Sequence, residues 1–219
     1  MYHTQYIGSK NAIINYLGKK YDLKSVLEIS STMTGHAHFG ISTEIFPLKE
    51  LLVYLPPNMV IKQSRLDTNI TPLSYETGIA TLQGQKFDIV FLDPWHTFEQ
   101  SKQDMENALQ LVNDNGFIVI HDCCPHSKNY IGKFSSGAWC DQTYEAFIDF
   151  KMKHPLLESI VVDVDYGCAV IKMNGARNVA YQLPNPEMTL HEVSEWDYFY
   201  PHRIELLDLI TGWEFSKRY

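Results

Sequence analysis

The sequence lacks the features that mark several large classes of protein. It has no run of about 18 consecutive apolar residues, and its opening MYHTQYIGSK lacks the basic and then apolar order of a secretory signal. Cations are also scarce, because 18 lysines and arginines face 26 aspartates and glutamates, for a formal net charge of −8. A chain with this charge repels nucleic-acid backbones and anionic lipids. We therefore expect a cytoplasmic protein that binds neither nucleic acid nor membranes.

Cysteine is equally scarce. The 219 residues include four cysteines, at positions 123, 124, 140 and 168, and no CxxC spacing. This pattern suits neither a disulfide scaffold nor a structural zinc site. We expect all four to be reduced thiols.

The apolar content, 45% of the residues, is enough for a sizeable core in one domain spanning residues 1–219. Short runs of β-forming residues alternate with helical or turn-rich stretches in the first half of the chain. This alternation predicts an α/β domain with a parallel sheet. The runs lie at 25–29, 51–55, 87–92 and 117–121, and a less regular fifth run at 59–66 predicts a strand near the sheet edge.

The clearest unit covers residues 87–122. Its first strand, FDIVFLD, is almost continuously apolar and ends at Asp93, which a proline follows. Thr97 and Gln100 then predict a capping box for a helix, and Gly116 predicts its left-handed stop before a second strand. Crossovers of this kind are nearly always right-handed. The two strands should therefore run parallel, with their carboxyl ends at one edge.

The pattern changes towards the C-terminus. Strands are predicted at 158–164 and 168–173, and the turn at 165–167 is so short that the pair must be antiparallel. Residues 175–201 predict a loop or lid, followed by a final helix at 204–210. The fold class is therefore α/β, with a Rossmann-like, doubly wound, mostly parallel sheet and a C-terminal antiparallel hairpin.

Polar residues follow three of the predicted strands, where open α/β sheets bind their ligands. They are the loop 28–35, then Asp93 and His96, and finally His121 and Asp122. Because the crossover should bring Asp93 and Asp122 together, their carboxylates could reach one cation. Oxygen ligands favour magnesium or manganese over zinc. Such a cation could hold and acidify a substrate hydroxyl.

His96 lies where an imidazole could accept the proton of that hydroxyl near neutral pH. The structural alternatives are ordinary: an aspartate at a strand end is often a helix cap, and a lone loop histidine often has no role. Convergence of three such positions favours the functional interpretation. The loop 28–35 is less specific, since an acid followed by a glycine is common in proteins that bind no nucleotide.

Four blocks of the sequence carry a resemblance to a known family. They read FDIVFLDPWHTFEQSKQDMENAL (87–109), GFIVIHDCCP (116–125), SGAWCDQTYEAF (136–147) and VVDVDYGCAVI (161–171). They resemble the S-adenosylmethionine (SAM)-dependent O-methyltransferases related to the catechol type, and more closely the metal-dependent bacterial group found with sugar and polysaccharide biosynthesis. The resemblance implies the class I methyltransferase fold, with SAM and Mg²⁺ or Mn²⁺ as cofactors. It further implies that Asp93, His121 and Asp122 form the metal site and that His96 is the base.

The residues that would bind SAM depart from the family pattern. The family's first loop reads E-x-G-x-x-x-G, whereas here Ser30 replaces the first glycine and Gly35 is displaced by one position. No acidic residue closes the second strand to bind the ribose, and Asn58 is the nearest polar substitute. The resemblance places the donor contacts at Glu28, Ser30, Thr34, Gly35, Asn58, Asp67 and Thr68.

Taken together, these features predict an O-methyltransferase that acts on a hydroxyl of a sugar or other small molecule and forms homo-oligomers, as related enzymes do. The altered first loop and the missing ribose acid leave open a protein of the same fold that has lost SAM binding and serves as a binding or assembly subunit. A metal phosphohydrolase built on His121 and Asp122 is a third reading. It is disfavoured because helical HD-type sites do not place that pair after a strand.

Overall fold

The computed structural model describes residues 5–32, 34–53, 75–134 and 137–219. Four predictions fall outside these residues: the strand at 59–66 and the SAM contacts Asn58, Asp67 and Thr68.

The described residues form a seven-stranded sheet in the order β2-β1-β3-β4-β6-β5-β7. Strands β1 to β4 pair in parallel, while β6 is antiparallel to both β4 and β5. The predicted fold class, a mostly parallel sheet with a C-terminal antiparallel hairpin, is confirmed. The strands are β1 Ser25–Ser30, β2 Leu48–Val53, β3 Phe87–Asp93, β4 Val112–Ile120, β5 Leu157–Val162, β6 Cys168–Ala176 and β7 Leu209–Ile210.

Helices cover both faces of the sheet, which explains why β3 is apolar along nearly its whole length. Ile89 and Phe91 pack towards the face that carries α1 and α7, while Val90 and Leu92 pack towards α3, α4 and α6. Within the described ranges, no helix combines the length and apolarity needed to cross a membrane. The helices are α1 Lys10–Tyr21, α2 Tyr75–Thr81, α3 Phe98–Leu111, α4 Thr143–Lys153, α5 Leu190–Ser194, α6 Trp196–Leu207 and α7 Gly212–Arg218.

The crossover between β3 and β4 differs in detail from its prediction. Thr97 is the N-cap of α3, but its side chain makes no capping hydrogen bond, so the predicted capping box is wrong. The helix ends at Leu111, and Gly116 lies within β4 instead of stopping the helix. A Cβ added at Gly116 would lie 2.5 Å from the backbone oxygen of Asp88. Glycine is therefore needed here for close approach of two strands, not for a left-handed turn.

The β5–β6 hairpin turns as predicted. Asp165, Tyr166 and Gly167 all have left-handed φ angles, of 52°, 64° and 84°. A Cβ added at Gly167 would lie 2.4 Å from the backbone nitrogen of Cys124, so this turn packs tightly against the loop after β4.

The last predictions were wrong in two places. Residues 175–201 do not form a loop throughout, because β6 extends to Ala176 and α5 and α6 follow. The helix predicted at 204–210 is the end of α6, which stops at Leu207; β7 then pairs with β5, and α7 is the last helix. Helix α6 ends at Leu207 because Asp208 adopts a left-handed conformation while its carboxylate accepts hydrogen bonds from Lys151, at 2.7 Å, and Arg177, at 2.6 Å. A long-range contact thus overrides the local helical pattern.

The four cysteines are free and buried, as expected for reduced thiols.

Candidate active site

The ends of β3 and β4 bring the predicted site residues together. Leu92 pairs with Ile120 in parallel register, so Asp93 and His121 leave adjacent strands at the same edge. The backbone N–H of His121 donates to the carbonyl of Leu92 at 2.9 Å, which fixes the point of departure. Asp122 follows in a left-handed conformation, with φ of 60°.

The four side chains are buried and in close contact. The Oδ2 atom of Asp122 lies 3.0 Å from Nδ1 of His121 and 3.2 Å from Nε2 of His96. Asp93 places Oδ2 3.3 Å from Nδ1 of His121 and Oδ1 3.8 Å from Nε2 of His96. Two carboxylates and two imidazoles therefore share one buried space.

Three of these residues have the arrangement of cation ligands. One ligand atom from each of Asp93, His96 and Asp122 lies within 4.8 Å of the other two. The Oδ2 atom of Asp93 is buried and makes no hydrogen bond to any residue that the structure describes. Its positive partners are side chains, namely Nδ1 of His121 at 3.3 Å, Nδ1 of His36 at 3.8 Å and the Lys10 ammonium at 4.0 Å. Two carboxylates and an imidazole fit a divalent cation such as Mn²⁺ or Mg²⁺.

Burial and charge act differently on the two histidines. Burial lowers the pKa of His96, and the nearby Asp122 and Asp93 offset this only in part, so its imidazole is neutral near pH 7. Burial also acts to lower the pKa of His121, but the charge of Asp93 and hydrogen bonds to Asp122 and Asp165 raise it well above its usual value. Burial acts to raise the pKa of Asp93, but the charge of His121, together with the charges of His36 and His96, lowers it.

The structure adds residues that the sequence did not suggest. The Lys10 ammonium lies 3.2 Å from Oδ2 of Asp165 and 3.3 Å from Nε2 of His121. His36 places Nδ1 3.8 Å from Oδ2 of Asp93, and the Cys140 thiol contacts Oδ1 of Asp122 at 3.4 Å. Lys10 begins α1, whose N-cap serine is a local signal for a helix start, but no local pattern links that helix to the end of β3.

The first loop is organised around Glu28, which lies within β1, two residues before its end, and does not line the cleft. One oxygen of its fully buried carboxylate accepts hydrogen bonds from the backbone N–H groups of His36, at 2.5 Å, and Ala37, at 3.0 Å. Burial raises the pKa of Glu28 to about 7, although these two donors act in the opposite direction. Gly35 has a φ of 70°, and an added Cβ would lie 2.8 Å from the other Glu28 oxygen. Glu28 and Gly35 thus shape the loop together.

The other predicted SAM contacts in this loop are Ser30 and Thr34, which differ in exposure. Ser30 is buried, with its hydroxyl 3.4 Å from that of Thr32. Thr34 is exposed. Instead, Ser31 and His36 from this loop line the cleft beside the carboxylates.

That cleft has a volume of about 180 Å³ and two chemically different walls. Asp93, His96, His121 and Asp122 line one part of it. Aromatic side chains line another: Trp95, Phe134, Trp139 and Tyr166. The rings of Trp95 and Trp139 lie 4.6 Å apart, and the Trp139 indole donates to the Gly132 carbonyl at 2.6 Å.

Comparisons with known proteins agree with this architecture. A family model described as a methyltransferase domain matches residues 49–123, which include β2, β3, α3, β4 and the site residues at their ends. The chain has a class I methyltransferase fold. The predicted resemblance to O-methyltransferases is thereby confirmed, while a single domain over residues 1–219 remains a prediction. No curated protein matches the chain by sequence.

Solved structures show the same fold at low sequence identity. A putative caffeoyl-CoA O-methyltransferase from Staphylococcus aureus is 15% identical, with 74% of this chain and 82% of that chain covered and a TM-score of 0.53. The Podospora anserina methyltransferase PaMTH1, bound to S-adenosylhomocysteine (SAH), is 19% identical, with 74% and 77% covered and a TM-score of 0.53. A putative O-methyltransferase from Klebsiella pneumoniae is 16% identical, with 76% and 81% covered and a TM-score of 0.52.

Proposed function

We propose that this methyltransferase domain transfers the methyl group of SAM to a hydroxyl of a small molecule, such as a sugar, with the help of a divalent cation. The observation that carries the proposal is the pair of buried carboxylates of Asp93 and Asp122, each in contact with His96 and His121, beside a cleft at the carboxyl edge of the sheet. The SAH bound to the Podospora relative, which is what SAM becomes after methyl transfer, supports SAM as the donor.

Asp93, His121 and Asp122 are the proposed cation ligands, and Mg²⁺ or Mn²⁺ is the proposed ion. When bound, such an ion would orient the acceptor hydroxyl and lower its pKa. The two carboxylates supply hard oxygen donors, and their shared burial keeps water from weakening the interaction. His121 belongs to the proposed set because its Nδ1 atom lies 3.0 Å and 3.3 Å from the two carboxylates, and since they raise its pKa, the ion would have to displace its proton on binding.

His96 is the proposed base. Burial lowers the pKa of His96, so its imidazole is neutral at pH 7. With its one proton on Nδ1, Nε2 can accept the acceptor's proton, and Asp122 at 3.2 Å stabilises the resulting imidazolium. The same atom also lies in the ligand cluster, and one nitrogen cannot serve as base and ligand at once.

The aromatic wall is the proposed place for the acceptor. Indole rings suit the apolar face of a sugar or a planar ring, while the carboxylate wall faces the hydroxyl that reacts. Trp139 is held by its hydrogen bond to Gly132, so the wall needs little reorganisation when the acceptor binds. On the donor side we propose Glu28, Ser30, Thr34 and Gly35, and Asn58, Asp67 and Thr68 remain predictions, as do the cytoplasmic location and the homo-oligomer.

A calorimetric titration with SAM and with SAH, with and without Mn²⁺, tests the proposal. We expect SAM to bind in both conditions and methyl transfer to require the ion. The buried Ser30 hydroxyl, where the family has glycine, favours the alternative of a binding or assembly subunit without SAM. Absence of heat and of a thermal shift with either ligand would support that alternative.

Substitution of His96 separates its two possible roles. In His96→Gln we expect kcat to fall at least about 100-fold, within the range that general bases contribute. Mn²⁺ affinity should fall by no more than about tenfold, because His96 contacts the proposed ligands without being one. A loss of Mn²⁺ affinity well beyond about 100-fold would instead make His96 a ligand.

A further inference from the structure

A second cluster of metal-ligating side chains lies outside the cleft. One ligand atom from each of Cys124, His126 and Asp163 lies within 4.8 Å of the other two. Cys124 and His126 belong to the loop after β4, whereas Asp163 directly follows β5. The Nε2 atom of His126 and Oδ1 of Asp163 are 3.3 Å apart.

The chemistry of this set differs from that of the cleft. A thiolate, an imidazole and a carboxylate suit Zn²⁺, whereas a site for Mg²⁺ is built from oxygen. Zinc bonds of 2.0–2.1 Å to nitrogen and oxygen place two tetrahedral ligands about 3.3 Å apart. The observed distance between His126 and Asp163 has this value. Little movement is therefore needed for both to bind one ion.

Access is suitable as well. Cys124 is buried at the base of the cluster, while the side chains of His126 and Asp163 are 49% and 44% exposed. An ion can enter from solvent, and a water molecule can complete a four-coordinate shell. Arg203 lies within electrostatic range of the thiol and opposes a cation. Its guanidinium, however, donates to the Tyr200 carbonyl at 2.5 Å.

Backbone hydrogen bonds hold two of the three ligands, Cys124 and Asp163, in place without an ion. The N–H of Cys124 donates to the carbonyl of Tyr166 at 2.8 Å, and that of Cys123 donates to the carbonyl of Gly167 at 2.9 Å. The N–H of Asp163 donates to the carbonyl of Ile210, in β7, at 2.8 Å. Ligands on a fixed backbone lose little conformational entropy on binding.

We propose that Cys124, His126 and Asp163 form a zinc-type cation site that is distinct from the site at Asp93. Binding displaces the thiol proton to solvent and forms bonds from sulfur, nitrogen and oxygen to the ion. The ion would join the loop that carries Asp122 to the end of β5, next to the turn that carries Asp165. The sequence search for CxxC spacing could not detect this site, because its ligands follow two different strands, β4 and β5.

Cobalt substitution of the full chain tests this proposal, because Co²⁺ bound to thiolate gives a near-ultraviolet charge-transfer band. We expect the band in the unsubstituted protein and its loss in both Cys124→Ser and His126→Gln. Cys168→Ser and His191→Gln, which change a thiol and an exposed imidazole elsewhere, should retain it. Asp93→Asn should also retain it, so failure of the proposed enzymatic site would not be mistaken for failure of this one.

Zinc affinity gives an independent measurement. In competition with a chelating dye, His126→Gln should bind Zn²⁺ at least about tenfold more weakly, since even residues behind a ligand can have an effect of this size. His126 is half exposed, so this variant should fold even if Cys124→Ser does not. Absence of the cobalt band in the unsubstituted protein, or its persistence in His126→Gln, would show an ordinary surface pair of histidine and aspartate and would overturn the proposal.

Discussion

Asp88 and Asp93 lie near opposite ends of β3 and have opposite surroundings. Asp88, near the amino end, accepts hydrogen bonds from the backbone N–H groups of Lys24, at 2.7 Å, and Ser25, at 3.0 Å, and from the Asn113 amide at 2.7 Å. Asp93, at the carboxyl end, is 2% exposed, and its Oδ2 atom has no hydrogen-bond donor within the described part of the chain. The Asp88 carboxylate joins β3 by hydrogen bonds to the neighbouring strands, whereas the Asp93 carboxylate faces imidazoles and a cleft.

The difference shows that the groups in contact with an aspartate, and not its place in a strand, determine whether it stabilises the fold or can bind a cation. Neutral donors that point at Asp88 make it a structural brace, since they satisfy its charge. Asp93 has charged neighbours and spare coordination capacity, which is what a cation requires. The two residues therefore serve as each other's controls.

The largest expected effect separates activity from folding. Asp93→Asn should reduce cation-dependent methyl transfer by at least about 100-fold, since it removes a proposed ligand. Asp88→Asn should leave the turnover per folded molecule within about twofold, because its side chain lies at the other end of the strand. Initial rates with Mn²⁺, together with circular dichroism of both variants, measure this. Equal losses of turnover would erase the distinction between the two aspartates.

The second effect concerns stability. Asp88→Ala should lower the free energy of unfolding by about 2 kcal/mol, because it removes the acceptor of the part-buried Ser25 N–H, whereas water can replace it at the exposed Lys24 N–H. Burial acts to raise the pKa of Asp88, but its hydrogen-bond donors outweigh burial and lower it below the usual 3.8. Its contribution is thus present above that pH and is lost on acidification through the lowered pKa. Urea unfolding at neutral and acidic pH measures both, and a cost that is unchanged by acid would contradict this account.

A third, buried carboxylate on the neighbouring strand sharpens the comparison. Burial raises the pKa of Glu28 from 4.5 to about 7, with Asp93 acting in the same direction and the backbone donors and Lys10 against it. Its contribution to stability is complete below pH 4.5 and is lost as the pH rises to about 7. Glu28→Gln should remove this loss, on the order of 2 kcal/mol.

The measurement is the free energy of unfolding at about pH 5 and pH 8 in the variant and in the unsubstituted protein. Both proteins contain the same histidines, so the contribution of histidine titration is the same in both and drops out of the difference. If both proteins changed equally, Glu28 would be ionised throughout this range.

The smallest effect comes from an aspartate with a flexible cationic partner. Lys153 contacts Asp149 at 2.8 Å on the surface of α4, one helical turn away. Lys153→Ala should change the free energy of unfolding by less than about 0.5 kcal/mol, because Lys153 is itself 41% exposed and the Lys102 ammonium still lies 3.9 Å from Asp149, which is 17% exposed. Urea unfolding measures the change, and a cost approaching that of Asp88→Ala would mean that charge alone, regardless of geometry, decides these effects.

Much of the site could be predicted because a single local unit contains it. The run FDIVFLD, the helix after it and the strand before His121 imply parallel neighbours whose ends meet, and the contacts of Asp93, His96, His121 and Asp122 follow from that topology. The hairpin was equally readable, since a turn of three residues allows only antiparallel strands. Periods of 2 and 3.6 residues are local properties, so the sequence alone determined these elements.

Tertiary structure alone decided which distant residues join them. Lys10 and Asp165 reach His121 from a helix and a turn far along the chain, and Cys124 meets Asp163 across two strand ends. The helix α6 ends at Leu207 and β7 begins at Leu209 because buried Lys151 binds the carboxylate of Asp208 between them. Such contacts depend on how whole layers pack and on where buried charge finds a partner, and neither leaves a periodic signal in the sequence.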